Sequence, residues 1–189
     1  MKQRRLQTGR LHSRLNCLIL VVLTAMLVFS TPARAQTIQW YIEVLTDPIT
    51  KAPILEARIL SNRGYRFHIM KRDDNSLWAE FRMPRHVEKT ISRKRLPTYW
   101  IDGNDPINLE ALKKLEVGFK PTLYAIDEKG VQFILWGAFK RGQVPPPLRD
   151  FMLGETLNVR YWTSSGEMEQ AEIPLKRANE AISQMLNIA

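Results

Sequence analysis

The sequence predicts a mainly β protein: an antiparallel β-sandwich or barrel-like fold with a short helix near residues 106–115 and an amphipathic C-terminal helix. Three observations support this. Short runs rich in β-branched and aromatic residues recur along the chain, turn-forming residues separate them, and two stretches have helical periodicity. The 189 residues, 44% of them hydrophobic, suit one domain with a real core and are too few for a large multidomain enzyme.

The N-terminal 35 residues have the pattern of a secretory signal peptide. Basic residues between Lys2 and Arg14 precede an apolar run over residues 17–29, and Ala33 and Ala35 supply the small residues of a cleavage site. The run is shorter than the roughly 20 residues that span a bilayer, which favours cleavage after Ala35 over an uncleaved anchor. We therefore expect a protein of the periplasm or the secreted fraction, whose mature domain is residues 36–189.

Removal of the signal peptide changes both the charge and the cysteine content. The whole chain has a formal charge of +9, but six of its 28 Lys and Arg residues precede Gln36, which leaves 22 basic and 19 acidic residues, or +3. Its one cysteine, Cys17, also lies in the signal peptide. A mature domain without cysteine excludes disulfides, thiolate nucleophiles and Cys-ligated metals, and no cofactor is predicted.

Nine segments are predicted to be strands, and Asn, Asp, Ser and Gly clusters such as 61–64 and 73–76 form turns between them. In the third segment Phe67 and Ile69 alternate with Arg66 and His68, as in a strand with one buried face. The nine segments are residues 37–45, 54–60, 65–70, 77–83, 98–101, 122–126, 131–139, 156–163 and 168–175. The prolines at 145–147 are predicted to lie in a turn.

The two predicted helices rest on capping and periodicity. Asp105 is placed to cap the first, with Pro106 at its first helical position. Its apolar residues follow helical spacing; they are Ile107, Leu109, Leu112 and Leu115. The second covers residues 175–188, and its apolar face is expected to close one end of the sheet. That face consists of Leu175, Ala178, Ile182, Met185 and Leu186.

The segment from Leu153 to Ile182 resembles the C-terminal part of the invasion-associated locus B family, a group of small exported bacterial β-rich proteins. The shared pattern is a strand entered through Gly154, a hairpin with Gly166, and a strand that runs into a short helix. The strand that begins at Trp40 also fits this family. The resemblance implies a non-enzymatic envelope or secreted protein, in a family named for host-cell invasion, and it identifies no catalytic residue. The cysteine-free mature domain departs from the family pattern.

Histidines and acidic turns are weak candidates for chemistry. His68 and His86 are the histidines of the mature domain, and neither accompanies a serine in a Gly-x-Ser-x-Gly motif, which favours structural or surface roles. The run from Asp102 to Asp105 allows a calcium site, although Asp-Gly-Asn is also ordinary turn chemistry, which is the favoured interpretation.

A basic segment at residues 82–95 is the most informative polar feature. It has six basic residues against one Glu: Arg82, Arg85, Lys89, Arg93, Lys94 and Arg95. Outside the cytoplasm such a segment attracts lipid head groups, lipopolysaccharide phosphates, glycans or acidic proteins. We predict weak, salt-sensitive binding of an anionic partner, mainly through residues 93–95; the alternative is a solvated loop.

Two aromatic pairs, Trp40–Tyr41 and Tyr99–Trp100, lie in predicted strands, where one ring of each pair must point outward. The outward rings are candidates for contact with a carbohydrate, lipid or protein, or for covering a sheet edge. Aromatic residues do not interleave with the basic segment, so a stacking platform for nucleic acid is not expected.

These patterns together predict an exported bacterial envelope protein that acts as a non-enzymatic binding or assembly factor, with host or surface interaction as one possible role. Its expected partners are an envelope or surface protein, or an anionic lipid or glycan, with peripheral membrane contact allowed. One alternative is a structural accessory subunit of an envelope or secretion complex. A lesser alternative is a carboxylate-based enzyme, for which the sequence contains no motif.

Overall fold

Two antiparallel sheets form the framework of the protein, in a computed structural model that describes residues 38–112 and 123–188. The larger sheet contains β1 (Tyr41–Thr46), β2 (Pro53–Leu60), β3 (Arg66–Lys71), β4 (Leu77–Arg82), β7 (Tyr124–Ile126) and β8 (Gly130–Trp136). The smaller contains β5 (Thr98–Ile101), β6 (Ile107–Asn108), β9 (Thr156–Trp162) and β10 (Met168–Pro174). We call them the large sheet, ordered β1-β2-β3-β4-β8-β7, and the small sheet, ordered β10-β9-β5-β6.

The predicted sandwich-like architecture is confirmed, and each of the nine predicted strands corresponds to an observed one. The predicted signal peptide, residues 1–35, lies outside the described residues, as does Leu115 of the predicted first helix. The strand predicted over 131–139 ends at Trp136, and the chain then turns so that the N–H of Phe139 donates to the carbonyl of Asn75.

Aromatic side chains from both sheets share one core. Phe81 of β4 meets Tyr161 of β9 at a centroid distance of 5.3 Å, and Tyr99 of β5 meets Phe133 of β8 at 5.4 Å. These rings come from the alternating inward positions of their strands and are buried. Burial of each such ring contributes roughly 1.5–3 kcal/mol, so this contact layer is the main force that joins the sheets.

Helix α1 (Pro146–Leu153) begins within residues 145–147, which the sequence predicted to be a turn. Pro146 is accommodated because the first helical positions need no N–H donor within the helix. The helix buries Phe151, whose ring lies 5.5 Å from that of Phe67 and 6.0 Å from that of Tyr99. Tertiary packing between the two sheets therefore outweighs the turn signal of three consecutive prolines.

The first predicted helix begins later than expected. Ile107 and Asn108 form β6 and pair with β5, and helical backbone is present over residues 110–112. The Asn108 side chain, rather than Asp105, accepts a hydrogen bond from the N–H of Glu110 at 2.9 Å. Strand pairing at the sheet edge thus takes the residues that helical spacing assigned to the first turn.

The C-terminal helix α2 (Ala178–Leu186) agrees with the prediction, and all five residues of its predicted apolar face are buried. It packs against β1, β2 and β3. Near this helix, the indole N–H of Trp40 donates to the carbonyl of Pro174 at 3.0 Å, which ties the start of the first strand to the end of the last.

Candidate functional site

The face of the large sheet opposite the core carries a row of polar residues, which we call the outer row. Antiparallel register aligns one residue from each of five neighbouring strands: Tyr41, Arg58, His68, Glu80 and Gln132. Because side chains alternate along a strand, this register places all five on one face. The sequence therefore builds a continuous polar surface from residues that are far apart along the chain.

His68 lies at the centre of the outer row, between two buried glutamates. Its Nδ1 is 2.8 Å from Oε2 of Glu56, and its Nε2 is 2.6 Å from Oε2 of Glu80. An ionised carboxylate only accepts hydrogen bonds, so both ring nitrogens must donate and the ring is an imidazolium. Burial alone would lower the pKa of His68, but the hydrogen bonds to Glu56 and Glu80 outweigh it and raise that pKa.

Glu80 accepts hydrogen bonds from three side chains of this face. Besides His68, it accepts from Nε2 of Gln132 at 2.9 Å and from Nη1 of Arg82 at 2.5 Å. Burial would raise the pKa of Glu80, but these donors outweigh it and lower that pKa to about 2. Glu80 thus remains charged although only 5% of the residue is exposed.

The charges alternate in sign from one side of the face to the other. Arg58 joins Glu56 to Glu43 of β1, and Arg82 joins Glu80 to Asp127, whose carboxylate is 2.8 Å from Nη1 of Arg82. The resulting charge ladder is Glu43, Arg58, Glu56, His68, Glu80, Arg82 and Asp127. Each buried charge has an opposite neighbour, which is the condition for burying ions without a large penalty.

A pocket of 480 Å³ lies beside the charge ladder, and we call it the arginine pocket. Its polar lining consists of Tyr41, Arg58, Arg66, His68, Glu80, Arg82, Arg85 and Lys129. Arg58 and Arg82 are already engaged by the ladder, and the Lys129 amine donates to the carbonyls of Val87 and Lys89. The pocket therefore has fixed walls.

Arg66 and Arg85 differ from the other lining cations because neither forms a side-chain hydrogen bond or ion pair with any described residue. Arg66 pairs in register with Arg82, so two like charges face each other across neighbouring strands. Burial and the nearby charges of Arg85 and Arg82 lower the pKa of Arg66. An anion in the pocket would relieve this repulsion and supply acceptors for two guanidinium groups.

The predicted basic segment does not form one cluster. Arg82 belongs to the charge ladder, Arg85 lines the arginine pocket, and Lys89 pairs with Glu167 at 2.8 Å and Glu169 at 2.7 Å. Arg93 and Lys94 line a separate pocket together with Ser164. The guanidinium of Arg95 lies 4.3 Å from the ring centroid of Trp162. The structure thus divides the segment between different surfaces.

The aromatic pairs alternate as strand geometry requires. Trp40 and Tyr99 are buried, whereas Tyr41 is 47% exposed and Trp100 is half-buried. Tyr41 lines the arginine pocket, and Trp100 lies on the small sheet, with the guanidinium of Arg160 5.1 Å from its ring centroid. The two outward rings therefore belong to different surfaces.

Asp102 has a structural task in a turn. Its carboxylate accepts hydrogen bonds from the N–H of Glu155 at 3.0 Å and of Thr156 at 2.8 Å, and its φ is 50°. This geometry favours the turn interpretation of residues 102–105. Within residues 38–112 and 123–188, no group of three or more His, Cys, Asp or Glu side chains is arranged to hold a metal ion.

Sequence reasoning identified Tyr41, Arg82 and Arg85 but missed Arg66, Glu56, Glu80 and Lys129. The usable signal was the alternation of Arg66 and His68 with Phe67 and Ile69, which puts both polar residues on one face. What was missing is the pairing of β4 with β8, because three strands intervene between them along the chain.

No family model matches the chain, and the searches of curated proteins and solved structures gave no match either. The resemblance to the invasion-associated locus B family therefore rests on the sequence pattern alone. Within the described residues, no helix is long and apolar enough to cross a membrane.

Proposed function

We propose that this protein is an exported, non-enzymatic binding factor of the bacterial envelope that holds an anionic group of its partner in the arginine pocket. One observation carries the proposal: Arg66 and Arg85 line a preformed pocket, and neither forms an ion pair or a side-chain hydrogen bond with a described residue. Arginine presents donors in a planar fork that fits phosphate and carboxylate oxygens.

The surroundings of Arg66 support recognition of an anion rather than simple solubility. The charge ladder holds Arg58 and Arg82 in place, so these two cations add positive potential without moving. Tyr41 adds an exposed ring at the same pocket, suited to the apolar or sugar portion attached to an anionic group. Lipid head groups, lipopolysaccharide and acidic glycans of the envelope carry such groups.

Vesicle binding tests this proposal. We expect purified protein to sediment with vesicles of phosphatidylglycerol and phosphatidylcholine at low salt, and not with phosphatidylcholine alone. The double variant Arg66→Gln/Arg85→Gln should lose this binding. The matched control is Arg93→Gln/Lys94→Gln/Arg95→Gln, which removes three exposed cations of the basic segment and leaves the pocket intact.

The outcomes separate the two basic surfaces. Loss of binding in the pocket variant alone supports the arginine pocket. Loss in the control variant alone overturns it in favour of residues 93–95, and retention by both variants overturns the arginine pocket as the binding site. Inorganic phosphate, titrated while the amide signal of Arg66 is followed by NMR, shows whether a free anion occupies the pocket without a lipid surface.

A further inference from the structure

A second concave surface lies on another part of the protein, between the chain that follows β8 and helix α1. Its volume of 790 Å³ is larger than that of the arginine pocket, and no lining residue is common to the two. We call it the α1 groove; its main lining side chains are Trp136, Lys140, Val144, Arg149, Met152 and Leu153.

The floor and rim of the α1 groove expose an unusual amount of apolar surface. Leu153 is 83% exposed and Trp136 is 40% exposed, while Val144 and Met152 are half-buried. Side chains of this size are normally buried in the core, and a concave group of them marks a binding surface more often than isolated exposure does.

The groove is preformed by its backbone. The N–H of Phe139 donates to the carbonyl of Asn75 at 2.8 Å, and the N–H of Gln143 donates to the carbonyl of Lys140 at 3.1 Å. Pro145 and Pro146 fix the entry into α1. Little ordering entropy is therefore lost when a ligand binds, which favours affinity.

The charged residues of the α1 groove favour a negatively charged ligand. Lys140 and Arg149 line the groove, and neither forms an ion pair or side-chain hydrogen bond with another described residue. The adjoining pocket shares Gly142, Val144 and Met152 with the groove and adds Arg141. Among the described residues, no Asp or Glu lines either cavity. The rim is thus positive around an apolar floor.

We infer that the α1 groove binds a short segment of a partner protein, in which apolar anchor side chains are flanked by Asp or Glu. The anchors would cover Leu153 and Trp136, and the acidic flanks would pair with Lys140 and Arg149. Concavity favours an inserted chain segment over a bilayer, since a flat membrane surface cannot reach the floor of a groove.

A peptide library tests this inference. Its members carry two Leu or Phe anchors flanked by Glu, and a matched library replaces every Glu by Lys. We expect the acidic library to yield binders, with affinity measured by fluorescence anisotropy of labelled peptides. Leu153→Gln should weaken their binding about tenfold, because it removes the most exposed apolar contact without adding charge at the helix end.

Charge reversal and matched controls locate the site. Lys140→Glu/Arg149→Glu should weaken binding about tenfold or more at low salt, and less at high salt. Ile49→Gln removes a side chain that is 88% exposed in the β1–β2 turn, and Arg63→Glu reverses a charge in the β2–β3 turn; both should bind peptide like the parent. Thermal unfolding verifies that every variant is folded.

Three results would overturn the inference. One is equal enrichment of the acidic and basic libraries, and another is binding that the groove variants do not weaken. The third is binding of phosphatidylglycerol vesicles through Leu153 with no binding of acidic peptides, which would make the groove a membrane contact. Because the arginine pocket has different lining residues, Arg66→Gln/Arg85→Gln should leave peptide binding unchanged. A negative result in the peptide test therefore leaves the arginine pocket unaffected, and a negative result in the vesicle test leaves the α1 groove unaffected.

Discussion

The outer faces of the two sheets differ in the burial of their charged residues. On the large sheet, Glu56 and Glu80 are each 5% exposed and belong to the charge ladder. On the small sheet, Arg160 and Glu172 stand in solvent. Glu56 and Glu80 each lie beside His68 and an arginine, whereas Arg160 faces Gln170 and Thr98 across its neighbouring strands and Glu172 faces Asn158, all uncharged. Burial of charge therefore follows from whether the neighbouring side chains supply a counterion.

This contrast teaches where a rigid binding surface can form. The arginines of the charge ladder are held by opposite charges on both sides. On the same face, the guanidinium of Arg72 lies 3.6 Å from the ring centroid of Trp78 and shields that ring. On the small sheet, Arg160 has no such counterion and lies against the Trp100 ring. Cations held by counterions are found on the large sheet, and the arginine pocket lies there.

Removal of Glu80 should cause the largest loss of stability on the outer face of the large sheet. Glu80→Ala removes one hydrogen-bond acceptor from each of His68, Gln132 and Arg82, and we expect the free energy of unfolding to fall by about 3 kcal/mol. The matched change on the small sheet, Glu172→Ala, should alter it by less than about 0.5 kcal/mol. Urea unfolding measures both; equal losses would contradict the distinction between the two faces.

Titration of His68 should make stability depend on pH in a defined direction. Its pKa is raised in the folded protein, so its stabilising contribution is complete below the unfolded value of about 6.5 and is lost as pH rises through the folded value. The lowered pKa of Glu80 acts oppositely: its contribution is present above 4.5 and is lost as pH falls toward about 2.

His68→Gln is the control for this pH dependence, since it keeps a polar side chain that does not titrate. We expect urea midpoints of the parent to decline as pH rises above about 6.5, while those of His68→Gln stay flatter. Parallel profiles would show that His68 is not the titrating group.

Substitutions of Asp127, at the exposed end of the charge ladder, should have a smaller effect on stability. Asp127→Asn keeps acceptors for the N–H groups of Lys129 and Gly130 but removes the charge that faces Arg82. We expect a loss of about 0.5 kcal/mol that disappears at high salt, because exposed ion pairs are screened. Asp127→Ala also removes the turn acceptor and should lose about 1 kcal/mol more, independent of salt.

Arg66→Gln should have the smallest effect on stability and the opposite sign. It removes a cation that faces Arg82 across the strands, so we expect a gain of up to about 0.5 kcal/mol at low salt. The same variant should weaken binding to anionic vesicles. A loss of stability would show that Arg66 supports the fold rather than ligand binding.

The strands could be predicted from the sequence because alternation and turn residues are local signals. Phe67 and Ile69 mark a buried face without knowledge of any partner strand. Helix α1 could not be predicted, since its three prolines indicate a turn and only the packing of Phe151 between the sheets explains the helix. Strand β6 was missed because two residues are too short for a periodic signal.

The candidate site was predictable in part. Charge density along the chain pointed to Arg82 and Arg85, but the arginine pocket also needs Arg66 from β3 and Tyr41 from β1. Their meeting depends on register across several strands, which one sequence does not specify. The α1 groove was also hidden, because much of its lining comes from helix α1, which the sequence did not predict.

The hydrogen bond from Trp40 to the carbonyl of Pro174 has a consequence for the order of assembly. Synthesis from the N-terminus delivers Trp40 first and its acceptor almost last. Helix α2, which covers β1 to β3, arrives later still. The opening strands therefore stay uncovered until nearly the whole polypeptide has been made, so the core closes only at the end of synthesis.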